Sequence, residues 1–173
     1  HYNEMSGPLP FLLYAGWGYL FGYDLNTLRL FSISVAFSFF ILFFNYIFII
    51  RKDALLALIA SLFLVVHPYM VGISIFVFTD MLPVLGIMIA LFSLHRKNYI
   101  LFSIGSMLAL LSRQYFIFFL AGTLIYYGLQ YLNNKDKFSI KVIVAGIISS
   151  LPLVLLMILW QGASPDNELN VLY

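Results

Sequence analysis

Cysteine is absent from the 173 residues, which removes disulfide frameworks and thiolate metal sites from consideration. Charge is scarce as well. Only 9% of the residues are Asp, Glu, Lys or Arg, while 63% are hydrophobic and the mean hydropathy is +1.01. A water-soluble domain does not cover its surface with so few charges, so the chain reads as an integral membrane protein. The net charge of +2 is too small to point to nucleic acid. Soluble-enzyme signatures are also lacking: no glycine loop that cradles phosphate, no paired-histidine metal motif and no nucleophile elbow. The chain opens at His1 without a basic, signal-like segment and reads as a fragment of a single transmembrane domain over 1–173.

Hydrophobicity arrives in five blocks, Leu28 to Ile50, Ala54 to Phe78, Met81 to Leu94, Tyr99 to Leu132 and Ile140 to Trp160, separated by short polar clusters. The fourth block holds 34 residues. As one helix it would be about 51 Å long, well beyond a hydrocarbon core of about 30 Å. Ser112-Arg113-Gln114 interrupts it. An arginine at mid-bilayer costs at least about 2.5–3.5 kcal/mol, so two helices with Arg113 at an interface are expected. Counting crossings with that break puts Arg51, Lys52, Arg96, Lys97, Lys135, Lys137 and Lys141 on one side, with Arg29 and Arg113 on the other. The positive-inside rule makes the first side cytosolic. The expected fold is an all-α bundle of about six spans. A further short segment, Phe11 to Phe21, follows Gly7-Pro8-Leu9-Pro10 and suits an interfacial helix.

That topology sends Glu4, Asp24, His67, Asp80, Arg113, Asp166 and Glu168 toward the outer face, where chemistry is to be sought. Arg113 with Gln114 offers a planar fork for a phosphate or carboxylate at headgroup depth, or else snorkels to lipid headgroups. Asp80 follows Phe78-Thr79, and either Thr79 or Asp80 suits an ordinary N-cap of the next helix. An outward carboxylate also suits proton transfer or a divalent metal ion. His67-Pro68 marks a helix break, and a lone histidine there is more often structural than functional. Trp17 and Tyr19 are candidates for lining a sugar site.

The order His67-Pro68, Phe78-Thr79-Asp80, a short cytosolic turn, then Ser112-Arg113-Gln114 before an aromatic-aliphatic helix resembles the dolichyl-phosphoglucose-dependent α-1,2-glucosyltransferases. The wider pattern, including Gly7-Pro8-Leu9-Pro10, is similar to multi-span (GT-C type) glycosyltransferases such as protein O-mannosyltransferases and aminoarabinose transferases. The resemblance covers roughly residues 1 to 130. It implies a membrane glycosyltransferase that takes a sugar from a polyprenyl (dolichyl or undecaprenyl) phosphate and gives it to a lipid-linked glycan, lipid or protein acceptor. Asp80 would be a catalytic acidic residue, with Arg113, Gln114, His67 and Thr79 at the lipid phosphate and sugar. A divalent metal ion is left open. The family's first-loop acidic residue would fall before His1, so the principal carboxylate is expected outside this chain. The membrane would be the endoplasmic reticulum in a eukaryote or the cytoplasmic membrane in a bacterium. Two other functions compete on the residues alone: a transporter or flippase for lipid-linked sugars, and a non-enzymatic membrane subunit.

Overall fold

A computed structural model describes residues 7–77 and 79–160, and among them every regular element is helical. The helices are α1 (Leu9–Phe21), α2 (Leu25–Arg51), α3 (Ala54–Val66), α4 (Pro68–Ile75), α5 (Met81–His95), α6 (Tyr99–Ser112), α7 (Ile117–Asn134) and α8 (Lys137–Leu159), with a 3-10 turn at Gln114–Phe116 leading into α7. Glu4, Asp166 and Glu168 lie outside the described residues.

Three helical stretches are long and apolar enough to cross a membrane: α2, α7 with its 3-10 turn, and α8. A fourth crossing is possible through α3 and α4, which are bent by 71° where Pro68 interrupts the backbone ladder. The remaining apolar helices are shorter, 13 residues in α1, 15 in α5 and 14 in α6. Among the described residues three to four stretches are thus long enough to span by themselves, where about six spans are expected from the sequence. Large apolar side chains stand on the outside, among them Phe63, Phe118, Leu132 and Leu159, each more than 70% exposed. In water such a surface would aggregate; against lipid it is the ordinary outer face.

The basic end has a local cause. Lys52, Lys97 and Lys135 all take left-handed backbone angles, with φ of 54°, 54° and 50°. Each is followed by an N-cap for the next helix, Asp53, Asn98 and Asp136, whose side chains accept first-turn amide hydrogens. Three helix hairpins thus turn through the same lysine-Asx pair, and each lysine sits where the carbonyl end of a helix favours positive charge. The ring of Tyr46 near the end of α2 packs edge-on to His95 at the end of α5, at 6.1 Å between centroids. Lys141 in α8 lies over Tyr99 at the start of α6. These contacts bring the three turns to one end of the bundle, in agreement with the charge partition read from the sequence.

Two clusters form the interior. Val35, Phe39, Met70, Ile73, Met81 and Met88 join α2, α4 and α5. Phe102, Leu110, Leu120, Val142 and Leu153 join α6, α7 and α8. Between them α5 and α6 meet backbone to backbone at Gly86 and Gly105: a Cβ on Gly105 would fall 2.6 Å from the Ala90 nitrogen, and one on Gly86 would fall 2.8 Å from the Gly105 oxygen. Ala90 and Ala109, each four residues beyond one of these glycines, complete a small-residue seam of the kind that lets membrane helices approach closely.

α1 lies on the start of α2. Tyr14 shares a hydrogen bond with Ser32, and the Trp17 indole donates to the Thr27 carbonyl at 3.0 Å. Trp17 is thereby a structural clasp, and Tyr19 is 82% exposed. Asp24 caps α2, and hydrogen bonds from the Thr27 hydroxyl and amide hold its carboxyl below its ordinary value.

Candidate functional site

The candidate site forms where α5 begins and α6 ends. Asp80 occupies the N-cap position of α5 but makes no capping hydrogen bond, so the expectation of an ordinary cap is corrected for Asp80. The reason is visible in the next residues. A cap accepts from the second or third amide of the helix, and the third residue of α5 is Pro83, which has no N–H. The carboxylate turns instead to Arg113, whose Nη2 lies 2.7 Å from Asp80 Oδ1. The same nitrogen donates to Thr79 Oγ1 at 3.1 Å.

Arg113 is placed by the break after α6. Its backbone is extended, with φ −146° and ψ 115°, and its amide still donates to the Ala109 carbonyl, so the helix ends on it. The side chains of Arg113 and Asp80 are 15% and 25% exposed. A snorkelling arginine would reach outward to headgroups. Arg113 instead folds inward onto a carboxylate, and its Nε is buried without a hydrogen-bond partner. Removing one member of such a covered pair costs about 3 kcal/mol, because the other charge is left uncompensated.

Gln114, 8% exposed, follows Arg113 directly in the chain and opens the 3-10 turn. Tyr115 feels the charges of Asp80 and Arg113 and lies within range of Tyr69; sequence reasoning passed over both tyrosines. Their positions, next to Gln114 and next to Pro68, were the only available signal. Gly7 closes the site from the other side: its amide donates to the Ser112 carbonyl at 2.9 Å, and a Cβ there would overlap the Leu111 carbonyl. The segment leading into α1 therefore abuts the end of α6 that carries Arg113.

Asp80, Arg113, Thr79 and Gln114 are thus brought together at one end, with the lysine turns at the other. Among the described residues no ion pair or side-chain hydrogen bond joins His67 to them. It is exposed at the bend between α3 and α4, beside an apolar hollow formed with Ile59, Leu62, Phe63, Val66 and Pro68. Among the described residues no three His, Asp or Glu side chains converge to hold a metal ion.

What the arrangement offers chemically is a guanidinium with one nitrogen spent on protein oxygens and another unmet, next to a carboxylate and a hydroxyl. A phosphate oxygen suits the unmet donor. Comparison with models of known protein families, with curated proteins and with solved structures finds no match for this chain.

Proposed function

We propose that this chain forms the outer, donor-binding end of a membrane glycosyltransferase that uses a polyprenyl-phosphate sugar. The observation that carries the proposal is the pairing of Arg113 with Asp80 and with Thr79, the latter 34 residues away in sequence, at the end remote from the lysine turns. In this reading α2, the α3–α4 pair, α5, α6, α7 and α8 make six crossings and α1 lies at the interface. With its lysine turn at headgroup level, the 15-residue α5 reaches only about 22 Å toward the far side. The pair is therefore recessed below that surface of a core about 30 Å thick. A lipid-anchored donor reaches such a recess without leaving the membrane.

The reaction that fits is an inverting displacement. An acceptor hydroxyl attacks the anomeric carbon, the carbon–oxygen bond to phosphate breaks, and the polyprenyl phosphate departs with the bonding electrons. Arg113 balances the charge that gathers on that phosphate. Asp80 takes the proton of the acceptor hydroxyl.

Transfer from a radiolabelled polyprenyl-phosphate sugar, measured with the full-length protein, tests this. Asp80→Asn keeps a hydrogen-bonding group of the same size but cannot act as base, and a fall of about a hundredfold or more is expected. Undiminished transfer by Asp80→Asn overturns the assignment.

Topology is tested separately. Because the chain has no cysteine, Lys97→Cys and Tyr115→Cys each supply a single thiol, at exposed positions on opposite ends. An impermeant maleimide should label them from opposite sides of sealed vesicles. Labelling of both from one side rules out a crossing by α6.

A further inference from the structure

We infer that the basic end carries a binding site for an anionic phospholipid, with its phosphate on Lys137 and Lys141 and one acyl chain in a groove between α6 and α8. The groove has a volume of about 340 Å³ and is walled by Ile100, Ile140, Val144 and Ile148, with Tyr99 and Lys141 at its mouth. Ile140 to Ile148 span about 12 Å along α8, a depth that suits the upper part of a fatty-acyl chain. Its floor is dry: the Ser103 hydroxyl, its polar group, already donates to the Ala145 carbonyl at 3.2 Å, which also ties the two helices together. A sugar, with many hydroxyls to satisfy, would find only the acceptor side of that one hydroxyl there, whereas a hydrocarbon chain loses nothing.

Charge at the mouth selects the headgroup. Lys137 and Lys141 are one turn apart on α8 and share a face. Lys141 is held at the rim by its position 5.3 Å over the Tyr99 ring. Arg96 and Lys97 immediately precede α6. The nearby carboxylate, Asp136, is committed to capping α8, accepting from the Phe138 amide and the Ser139 hydroxyl. Among the described residues the one ion pair is that of Arg113, so these cations form no ion pair there. A basic pocket between membrane helices on the cytosolic side, continuous with an apolar groove, matches a phosphate on a diacyl tail. A protein helix laid over the same groove would have to cover the Lys141 ammonium, which is costly at that depth. This inference does not depend on the sugar-transfer reading.

The test uses the full-length protein in liposomes of equal parts phosphatidylglycerol and phosphatidylcholine, with the photo-reactive residue p-benzoylphenylalanine in place of Val144, which is 49% exposed on the groove wall. Mass spectrometry of the adducts is expected to show phosphatidylglycerol in excess. A reporter at Phe63, 82% exposed on α3, should show no preference. Lys137→Ala and Lys141→Ala are expected to lower the ratio at position 144 by about fivefold each, and arginine at the same positions should keep it. Both lysines are exposed, so the fold is not at stake. Equal capture of the two lipids at position 144, a ratio indifferent to the lysines, or cross-linking to another protein segment instead of lipid each overturns the assignment.

Discussion

In the full-length protein Arg113→Lys is expected to lower sugar transfer about a hundredfold, and Arg113→Ala further still. The expectation follows from how the guanidinium is used. One nitrogen already serves both Asp80 and Thr79, while Nε is buried and unmet. A phosphate can engage the planar group without breaking the ion pair, so the carboxylate and the departing phosphate are held in one frame. Lysine brings a compact ammonium on a flexible stem. It can pair with Asp80 or with a phosphate, but it cannot present a planar array to both. Losing a group that stabilises charge in the transition state typically costs 10²–10³ in rate. Stability separates this from simple unfolding: Arg113→Lys keeps a charge opposite Asp80 and should retain most of the fold, whereas Arg113→Ala strands the carboxylate at a cost of about 3 kcal/mol. Transfer and thermal unfolding measured on the same preparations distinguish the cases. Wild-type transfer by both variants sinks the phosphate role.

Much of the site was legible in the sequence, for reasons that can be stated. Arg113 stood out because an arginine in the middle of a long apolar run demands a break, and the break is there at Ser112 to Gln114. The basic side could be counted from charges alone, although the lysine-Asx repeat that creates it was not noticed. Asp80 was the less readable residue. An aspartate just before an apolar helix is usually a cap, and Asp24, Asp53 and Asp136 do cap α2, α3 and α8. What distinguishes Asp80 is Pro83 at the amide it would otherwise have met, a signal three residues away. Span length was less legible: hydropathy marks apolar runs but not where a helix bends or falls short, and α3–α4, α5 and α6 all depart from full-length straight helices. His67 and Trp17 drew notice by residue type, yet Trp17 is spent on the Thr27 carbonyl and His67 stands exposed at the bend between α3 and α4.

The seam between α5 and α6 is where the largest structural effect is expected. Gly105→Leu should lower the stability of the folded bundle by about 3 kcal/mol, the upper end for overpacking a close interface, and Gly86→Leu should do the same. A Cβ at either position would fall within 2.8 Å of backbone atoms of the facing helix, which cannot rotate away as a side chain would. The two helices must then separate. Because Asp80 precedes the first residue of α5 and Arg113 follows the last residue of α6, separation along the seam also draws the ion pair apart. Transfer should therefore fall even in preparations that remain folded. Gly122 and Gly128 on α7 serve as controls, since a Cβ there meets nothing within 4 Å. Alanine at those two positions should be neutral or stabilising by up to about 1 kcal/mol, because glycine is the poorer helix former. Thermal unfolding in detergent, followed by loss of the monodisperse protein peak, measures the difference. If Gly105→Leu unfolds no earlier than Gly128→Ala, α5 and α6 are not packed through these glycines, and the positioning of Asp80 against Arg113 must come from elsewhere in the bundle.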